Sequence, residues 1–120
     1  MDTNQTLKSH LHLVSTYFDT WNLNDASKLR ELFHDDITLS DWEISASGID
    51  NVIKENESIF KAVSKVEVVE RNIDIIDDTA YCAIKINVFE RNKSKANVLN
   101  VLDVIKIKVD KIISIKAYLG

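Results

Sequence analysis

The sequence contains no proline, two glycines and one cysteine among its 120 residues. A single cysteine excludes a disulfide within the chain and cannot supply a cysteine-rich zinc site. No apolar run approaches the ~20 residues that a membrane-spanning helix needs, and the opening MDTNQTLKSH lacks the basic and apolar segments of a signal peptide. We therefore expect a cytoplasmic protein that makes no membrane contact.

An excess of basic residues is also missing. The chain has 15 Lys and Arg against 19 Asp and Glu, a formal net charge of -4, and these charges are interspersed rather than grouped. This pattern favours solubility and argues against a nucleic-acid partner or an anionic membrane surface. With 45% hydrophobic residues, the length is sufficient for one sizeable core and short for two, so we expect a single domain over residues 1–120.

The first half of the chain has helical periodicity. A stripe of apolar residues predicts a first helix that ends near Trp21, with Tyr17 at the edge of the stripe, and Thr3 or Asn4 is a candidate cap. A second, short helix is predicted at about 25–33 and a third at about 50–64, separated by a strand that ends near Asp41. Asn56 lies on the apolar side of the third helix, where it is either hydrogen-bonded structure or part of a pocket.

From Val66 onward, apolar residues alternate with polar ones. This period predicts strands near 66–76, 79–91, 96–109 and 111–119, joined by turns in an antiparallel meander. Helices followed by a long meander are typical of an α+β domain in which the helices cover one face of a curved sheet.

Two aspartates interrupt the predicted apolar faces of strands. Asp41 falls on the same side of the first strand as Ile37 and Leu39, and Asp103 interrupts the more apolar face of the strand at 96–109. Burial in an apolar cavity disfavours the charged form of a carboxyl and raises its pKa. Two alternatives remain open: Asp41 faces solvent or caps a loop, and Asp103 pairs with a lysine or a backbone amide.

Three segments carry a resemblance to a known family. They are YFDTWN at 17–22, LFHDDITLSD at 32–41, and the closing pair DVIKI at 103–107 with IISIKAY at 112–118. Over essentially its whole length, the chain resembles the nuclear transport factor 2-like (NTF2-like) superfamily, and within it the SnoaL-like and ketosteroid isomerase-like branch. The resemblance implies an α+β fold built as a cone-shaped barrel: a curved, mostly antiparallel sheet with three helices from the N-terminal half packed on its concave face.

The resemblance also implies roles for three residues. In ketosteroid isomerases a first-strand aspartate is the base, and a helix-one tyrosine and a neutral aspartate donate hydrogen bonds to the oxyanion. These roles correspond to Asp41, Tyr17 and Asp103. The implied activity is that of an isomerase or lyase that removes a proton next to the carbonyl of a small apolar compound, without a cofactor or metal. The same superfamily includes cyclases, dehydratases, epoxide hydrolases and binding domains, so a non-catalytic small-molecule-binding or protein-interaction domain is the alternative.

The residues expected to line the pocket differ from those of steroid-binding relatives. Isoleucine and valine occupy wall positions where such relatives often carry aromatics, and Trp42 replaces a proline that commonly follows the base. The third helix has no clear tyrosine that could support Tyr17, and Asn56 lies there instead. A smaller or different substrate is therefore as plausible as a steroid. The expected lining residues are Trp21, Val52, Asn56, Phe60, Ile84, Ile86, Val88, Val101 and Ile105.

Both faces of the strand at 79–91 carry apolar residues, including Tyr81, Ala83 and Phe89 on the outer side. That is more apolar surface than a solvated face needs. Together with the family's habit of pairing through the outer face of its sheet, this predicts a homodimer.

Overall fold

The computed structural model describes residues 3–120. Helix α1 spans Thr3–Trp21, a 3-10 helix spans Ala26–Leu32, and α2 spans Ile49–Ala62. The strands are β1 (Phe33–Ser40), β2 (Ser45–Ser47), β3 (Lys65–Ile76), β4 (Thr79–Phe89), β5 (Asn97–Lys108) and β6 (Lys111–Leu119). No helix within the described range is long and apolar enough to span a membrane.

All six strands form one mixed sheet in the order β2-β1-β6-β5-β4-β3. The pairing of β1 with β6 is parallel, and every other pair of neighbours is antiparallel. The predicted α+β class is confirmed, with the difference that the sheet does not close into a barrel, because β2 and β3 remain its two edges.

The second predicted helix is a 3-10 helix of seven residues. Asp25 begins it by accepting a hydrogen bond from the backbone N–H of Ser27, at 3.1 Å, and from the Ser27 hydroxyl, at 2.6 Å. The β1 strand follows without a break, so the segment has no length in which to continue as an α-helix. The predicted cap Asn4 lies inside α1, and the side chain of Thr3 is outside the described residues.

The alternation along β5 places its apolar side chains against the helices. Leu102 and Lys106 are exposed, whereas Val101, Asp103 and Ile105 are buried. Side chains of α1 and α2 complete the core on this concave face, among them Val14, Phe18, Val52 and Ile53.

Two asparagines fasten the end of α1 to the edge strand β3. The Asn22 side chain accepts from the Val68 N–H at 2.7 Å and donates to its carbonyl at 3.1 Å. Asn24 does the same at Val66, at 2.9 and 2.8 Å. The two amides thus satisfy backbone groups that an edge strand would otherwise leave unpaired, and they fix the helix end that carries Tyr17 over the sheet.

Candidate active site

A cavity of about 200 Å³ lies between the concave face of the sheet and the helices. Most of its wall is aliphatic or aromatic, and the few polar groups come from α1, α2, β5 and the loop after β1. The lining residues are Tyr17, Phe18, Trp21, Leu39, Asp41, Trp42, Glu43, Ile44, Asn56, Ile59, Val66, Val68, Ile84, Ile86, Val88, Leu99, Val101, Asp103, Ile115 and Ala117.

Asp103 occupies the deep part of the wall. It is 7% exposed and stands between Cys82 of β4 and Ala117 of β6 in the sheet register. Its carboxyl makes no hydrogen bond or ion pair with any other residue within 3–120. The alternative that a lysine or a backbone amide pairs with Asp103 is therefore wrong for the described residues. Burial, and secondarily the charge of Asp41, raise the pKa of Asp103 to about 7. Near neutral pH, a large fraction of this group therefore carries a proton that it can donate.

Tyr17 is 5% exposed, and its ring packs against Phe18 and Phe33 at centroid distances of 5.2 and 6.0 Å. Among the described residues, none forms a hydrogen bond with its hydroxyl. Burial raises the pKa of Tyr17 well above 10, and the negative charges of Asp103 and Cys82 would add to the effect. The phenol is therefore a permanent hydrogen-bond donor.

The predicted position of Asp41 needs a correction. Strand β1 ends at Ser40, so Asp41 is not an inward residue of the strand but the first residue of the loop. Its Oδ1 accepts from the N–H groups of Glu43 and Ile44, at 2.7 and 2.6 Å, and its own N–H donates to the Ile44 carbonyl at 2.9 Å. Aspartate commonly closes a turn in this way. The half-buried Asp41 is nevertheless among the residues that line the cavity, so it both caps the loop and borders the site.

Trp21 and Asn56 form a buried polar pair beside the cavity. The indole N–H of Trp21 donates to Asn56 Oδ1 at 3.0 Å, and Asn56 Nδ2 donates to the Val52 carbonyl at 2.9 Å. Asn56 is thus hydrogen-bonded structure and cavity lining at once.

Six of the nine predicted lining residues stand on the wall: Trp21, Asn56, Ile84, Ile86, Val88 and Val101. The other three are corrections. Val52 and Ile105 have no exposed surface and lie in the core behind the wall, and Phe60 packs edge-on against Trp21 at 5.3 Å. Periodicity identifies the buried face of an element, but it does not separate residues that reach a cavity from those that fill the core.

Sequence reasoning did not assign the loop at the mouth of the cavity to the site. Trp42, Glu43 and Ile44 all line it, and Trp42 is 44% exposed. The sequence feature that could have indicated this loop is a large aromatic residue next to an acidic residue in the short segment between β1 and β2. Within residues 3–120, no three His, Cys, Asp or Glu side chains are grouped closely enough to hold a metal ion.

The architecture is an open, curved sheet with helices over one face. The cavity between them is mostly apolar and is lined by three acidic residues. Neither protein-family models nor curated proteins match the sequence. Solved structures do: a protein from Catenulispora acidiphila with a ketosteroid isomerase-like fold, in complex with trimethylamine, is similar at a TM-score of 0.79 and 16% identity, over 88% of this chain and 83% of that one.

Two further solved structures have the same architecture. A candidate SnoaL-like polyketide cyclase from Jannaschia sp. has a TM-score of 0.79 and 14% identity, covering 94% of this chain and 86% of its own. An LEH-like epoxide hydrolase from M. tuberculosis has a TM-score of 0.81 and 11% identity, covering 94% and 84%. The predicted NTF2-like architecture is confirmed: this chain has the NTF2-like fold that ketosteroid isomerase-like and SnoaL-like proteins share.

Proposed function

We propose that the protein is a cofactor-independent isomerase or lyase that acts on a small apolar carbonyl compound. One observation carries the proposal. Tyr17 and Asp103, two unpartnered donors, share an apolar cavity with the carboxylate of Asp41. Buried polar groups without partners are costly, and functional sites are where such groups are most often retained.

In the proposed reaction, Asp41 removes a proton from the carbon next to the carbonyl. The electron pair of that C–H bond forms the enolate double bond, and the carbonyl π electrons move to oxygen. Tyr17 and neutral Asp103 donate hydrogen bonds to this oxygen, which stabilises the charge as it develops. When the substrate has a double bond between its β and γ carbons, the enolate is a dienolate. Asp41 returns the proton to the γ carbon, the double bond moves to the α and β carbons and the carbonyl is restored, so the substrate and product are isomers.

The size of the cavity supports a small substrate. At about 200 Å³ it is below the roughly 300–1,000 Å³ typical of pockets for drug-sized ligands. Aliphatic side chains such as Ile84, Ile86 and Val88 form much of the wall. A compact, weakly polar molecule fits this environment better than an extended polar one.

The test uses cyclohex-3-enone, a small ketone whose conversion to the conjugated isomer is followed by ultraviolet absorbance. Asp41→Asn keeps an oxygen that can accept the loop hydrogen bonds but removes the base, so we expect kcat to fall by about 10²–10⁴. Asp77→Asn, which removes a charge at a turn outside the cavity, should leave the rate unchanged. Turnover by the wild type that survives Asp41→Asn would contradict the assignment of the base.

The second candidate is a binding domain without catalysis. The C. acidiphila neighbour, in complex with trimethylamine, favours it, because a small molecule is bound there by a protein of this fold. Ligand binding without any turnover that depends on Asp41 would favour this function. For both candidate functions we propose the cytoplasmic location that the sequence predicts.

We also propose that two copies associate through the outer face of the sheet. Tyr81, Leu102 and Tyr118 are 40%, 40% and 54% exposed on neighbouring strands, and Leu102 pairs directly with Tyr118. Ala83 adjoins Leu102 in the register, which makes the apolar surface continuous.

A further inference from the structure

All of the charged side chains that line the cavity are acidic. They are Asp41, Glu43 and Asp103, and no lysine, arginine or histidine accompanies them among the lining residues in the described range. None of the three forms an ion pair with any basic side chain within residues 3–120. Lys116 lines a separate surface groove together with Asp41 and Trp42, but it forms no ion pair with Asp41.

The cavity therefore contains three carboxyl groups and no countercharge among its lining residues in the described range. Some carboxylates elsewhere do have basic partners, such as Asp19 with Arg71 at 2.6 Å and Asp50 with Arg30 at 2.8 Å. Repulsion within the cavity acts on Asp103, because the charge of Asp41, after burial, contributes to its raised pKa. A positive charge at the exposed end of the cavity would be attracted by the two carboxylates there, Asp41 and Glu43.

The polar groups are also ordered by depth. Tyr17 and Asp103, which donate hydrogen bonds, are buried, whereas Asp41 is half-buried and Glu43 is exposed at the mouth. Trp42 stands beside Glu43 and is 44% exposed, and the aromatic face of an indole attracts cations. The deep end therefore fits an oxygen that accepts hydrogen bonds, and the mouth fits a cation.

We propose that the natural ligand is a small ammonium compound whose positively charged nitrogen lies at the mouth, among Asp41, Trp42 and Glu43, and whose carbonyl group reaches Tyr17 and Asp103. The carbonyl part, which enters the apolar depth of the cavity, rests on the function proposed above. The positive charge follows from the lining of the mouth, and it narrows the apolar carbonyl compound proposed there to one that has a cationic end outside the apolar wall. In this orientation, the carbon between carbonyl and nitrogen lies next to Asp41, the proposed base.

Two probes of nearly identical shape isolate the charge. They are (2-oxopropyl)trimethylammonium and its neutral carbon analogue 4,4-dimethylpentan-2-one, with binding measured by isothermal titration calorimetry. We expect the ammonium ketone to bind at least about tenfold more tightly, a difference of roughly 1.4 kcal/mol. Added salt should reduce this preference, because the mouth is exposed to solvent.

Three variants locate the recognition. Glu43→Gln and Trp42→Leu should each reduce the preference for the ammonium ketone at least about threefold and change the affinity for the neutral ketone little. Asp77→Asn removes the same charge as Glu43→Gln but lies outside the cavity, so it should leave both affinities unchanged. Thermal melting of each variant establishes that it is folded.

Equal binding of the two ketones, tighter binding of the neutral one, or no binding of either would overturn the inference. Its failure is distinct from failure of the proposed function. Loss of the charge preference alongside Asp41-dependent turnover of cyclohex-3-enone rejects only the ammonium ligand. A preserved charge preference without such turnover rejects only the reaction.

Discussion

Within residues 3–120, Asp103 differs from the other acidic residues because burial disfavours its charge and no hydrogen-bond or ion-pair partner compensates for it. The Cys82 thiol beside it is also fully buried, and burial together with Asp103 and Asp74 raises the pKa of that cysteine to about 12. The thiol is therefore protonated near neutral pH, and Cys82 acts as a small core residue. The chemistry of this part of the wall then depends on the proton of Asp103.

The proton on Asp103 predicts the pH dependence of activity. Because the carboxyl donates to the enolate only when protonated, kcat/KM should fall as the pH rises through about 7. Asp103→Asn replaces the O–H donor with an N–H donor that does not titrate, so this variant should lack the falling limb. A wild-type limb near pH 7 that persists in Asp103→Asn would assign the titration to another group.

The same raised pKa predicts the pH dependence of stability. The folded state binds the Asp103 proton more tightly than the unfolded state, whose pKa is near 3.8, so the free energy of unfolding falls as the pH rises from about 4 to about 7. A shift from 3.8 to about 7 corresponds to about 4 kcal/mol.

Asp103→Leu should therefore be more stable than the wild type in urea denaturation at pH 8, by as much as about 4 kcal/mol, and the gain should be smaller at pH 4. Asp77→Asn should show no comparable pH-dependent gain. An advantage of Asp103→Leu that is the same at both pH values would mean that the pKa of Asp103 is not raised in the folded protein.

At the scale of elements, the junction between α1 and β3 determines how Tyr17 and Trp21 meet the sheet. Asn24 has a φ of +55°, in the left-handed region that asparagine adopts more readily than most residues. From this conformation its side chain pairs with both backbone groups of Val66. One residue thus turns the chain after the helix and protects the sheet edge.

Asn24→Ala should lower the free energy of unfolding by about 2–3 kcal/mol, from the lost side-chain hydrogen bonds to Val66, Trp21 and Asn22 and the cost of a left-handed alanine. Asn24→Gly loses the same hydrogen bonds but tolerates the backbone conformation, so its loss should be smaller. Urea denaturation of both variants separates the two contributions. Equal losses would show that the backbone conformation costs alanine nothing.

At the scale of the whole molecule, the exposed apolar surface on the outer face of the sheet predicts association. Sedimentation equilibrium should give twice the mass of one chain. Leu102→Lys places a charge in the centre of the surface and should shift the protein to the monomer. Leu23→Lys, at a site 59% exposed in the loop after α1, should leave the assembly intact. A wild-type mass of one chain would reject the dimer.

Much of the architecture was predictable from local patterns. The alternating residues of β5 place Asp103 on the buried face, and the helical stripe of α1 places Tyr17 at its edge, because the period of an element determines which side chains share a side. The predicted strands agree with β3 to β6 within a few residues. The sequence did not reveal the 3-10 helix, the end of β1 before Asp41, or the short strand β2, because these depend on hydrogen bonds within loops.

Local sequence patterns are sufficient to specify the helices and strands, the α+β class, and an aspartate and a tyrosine directed toward the core. The packing of the elements against one another decides that Asp41 caps a loop and still lines the same cavity as Asp103, that Val52 and Ile105 lie behind the cavity wall, and that Trp42 and Glu43 form its mouth. The physical reason is that periodicity specifies a direction within one element. The distance between side chains on different elements depends on sheet curvature, strand register and loop closure.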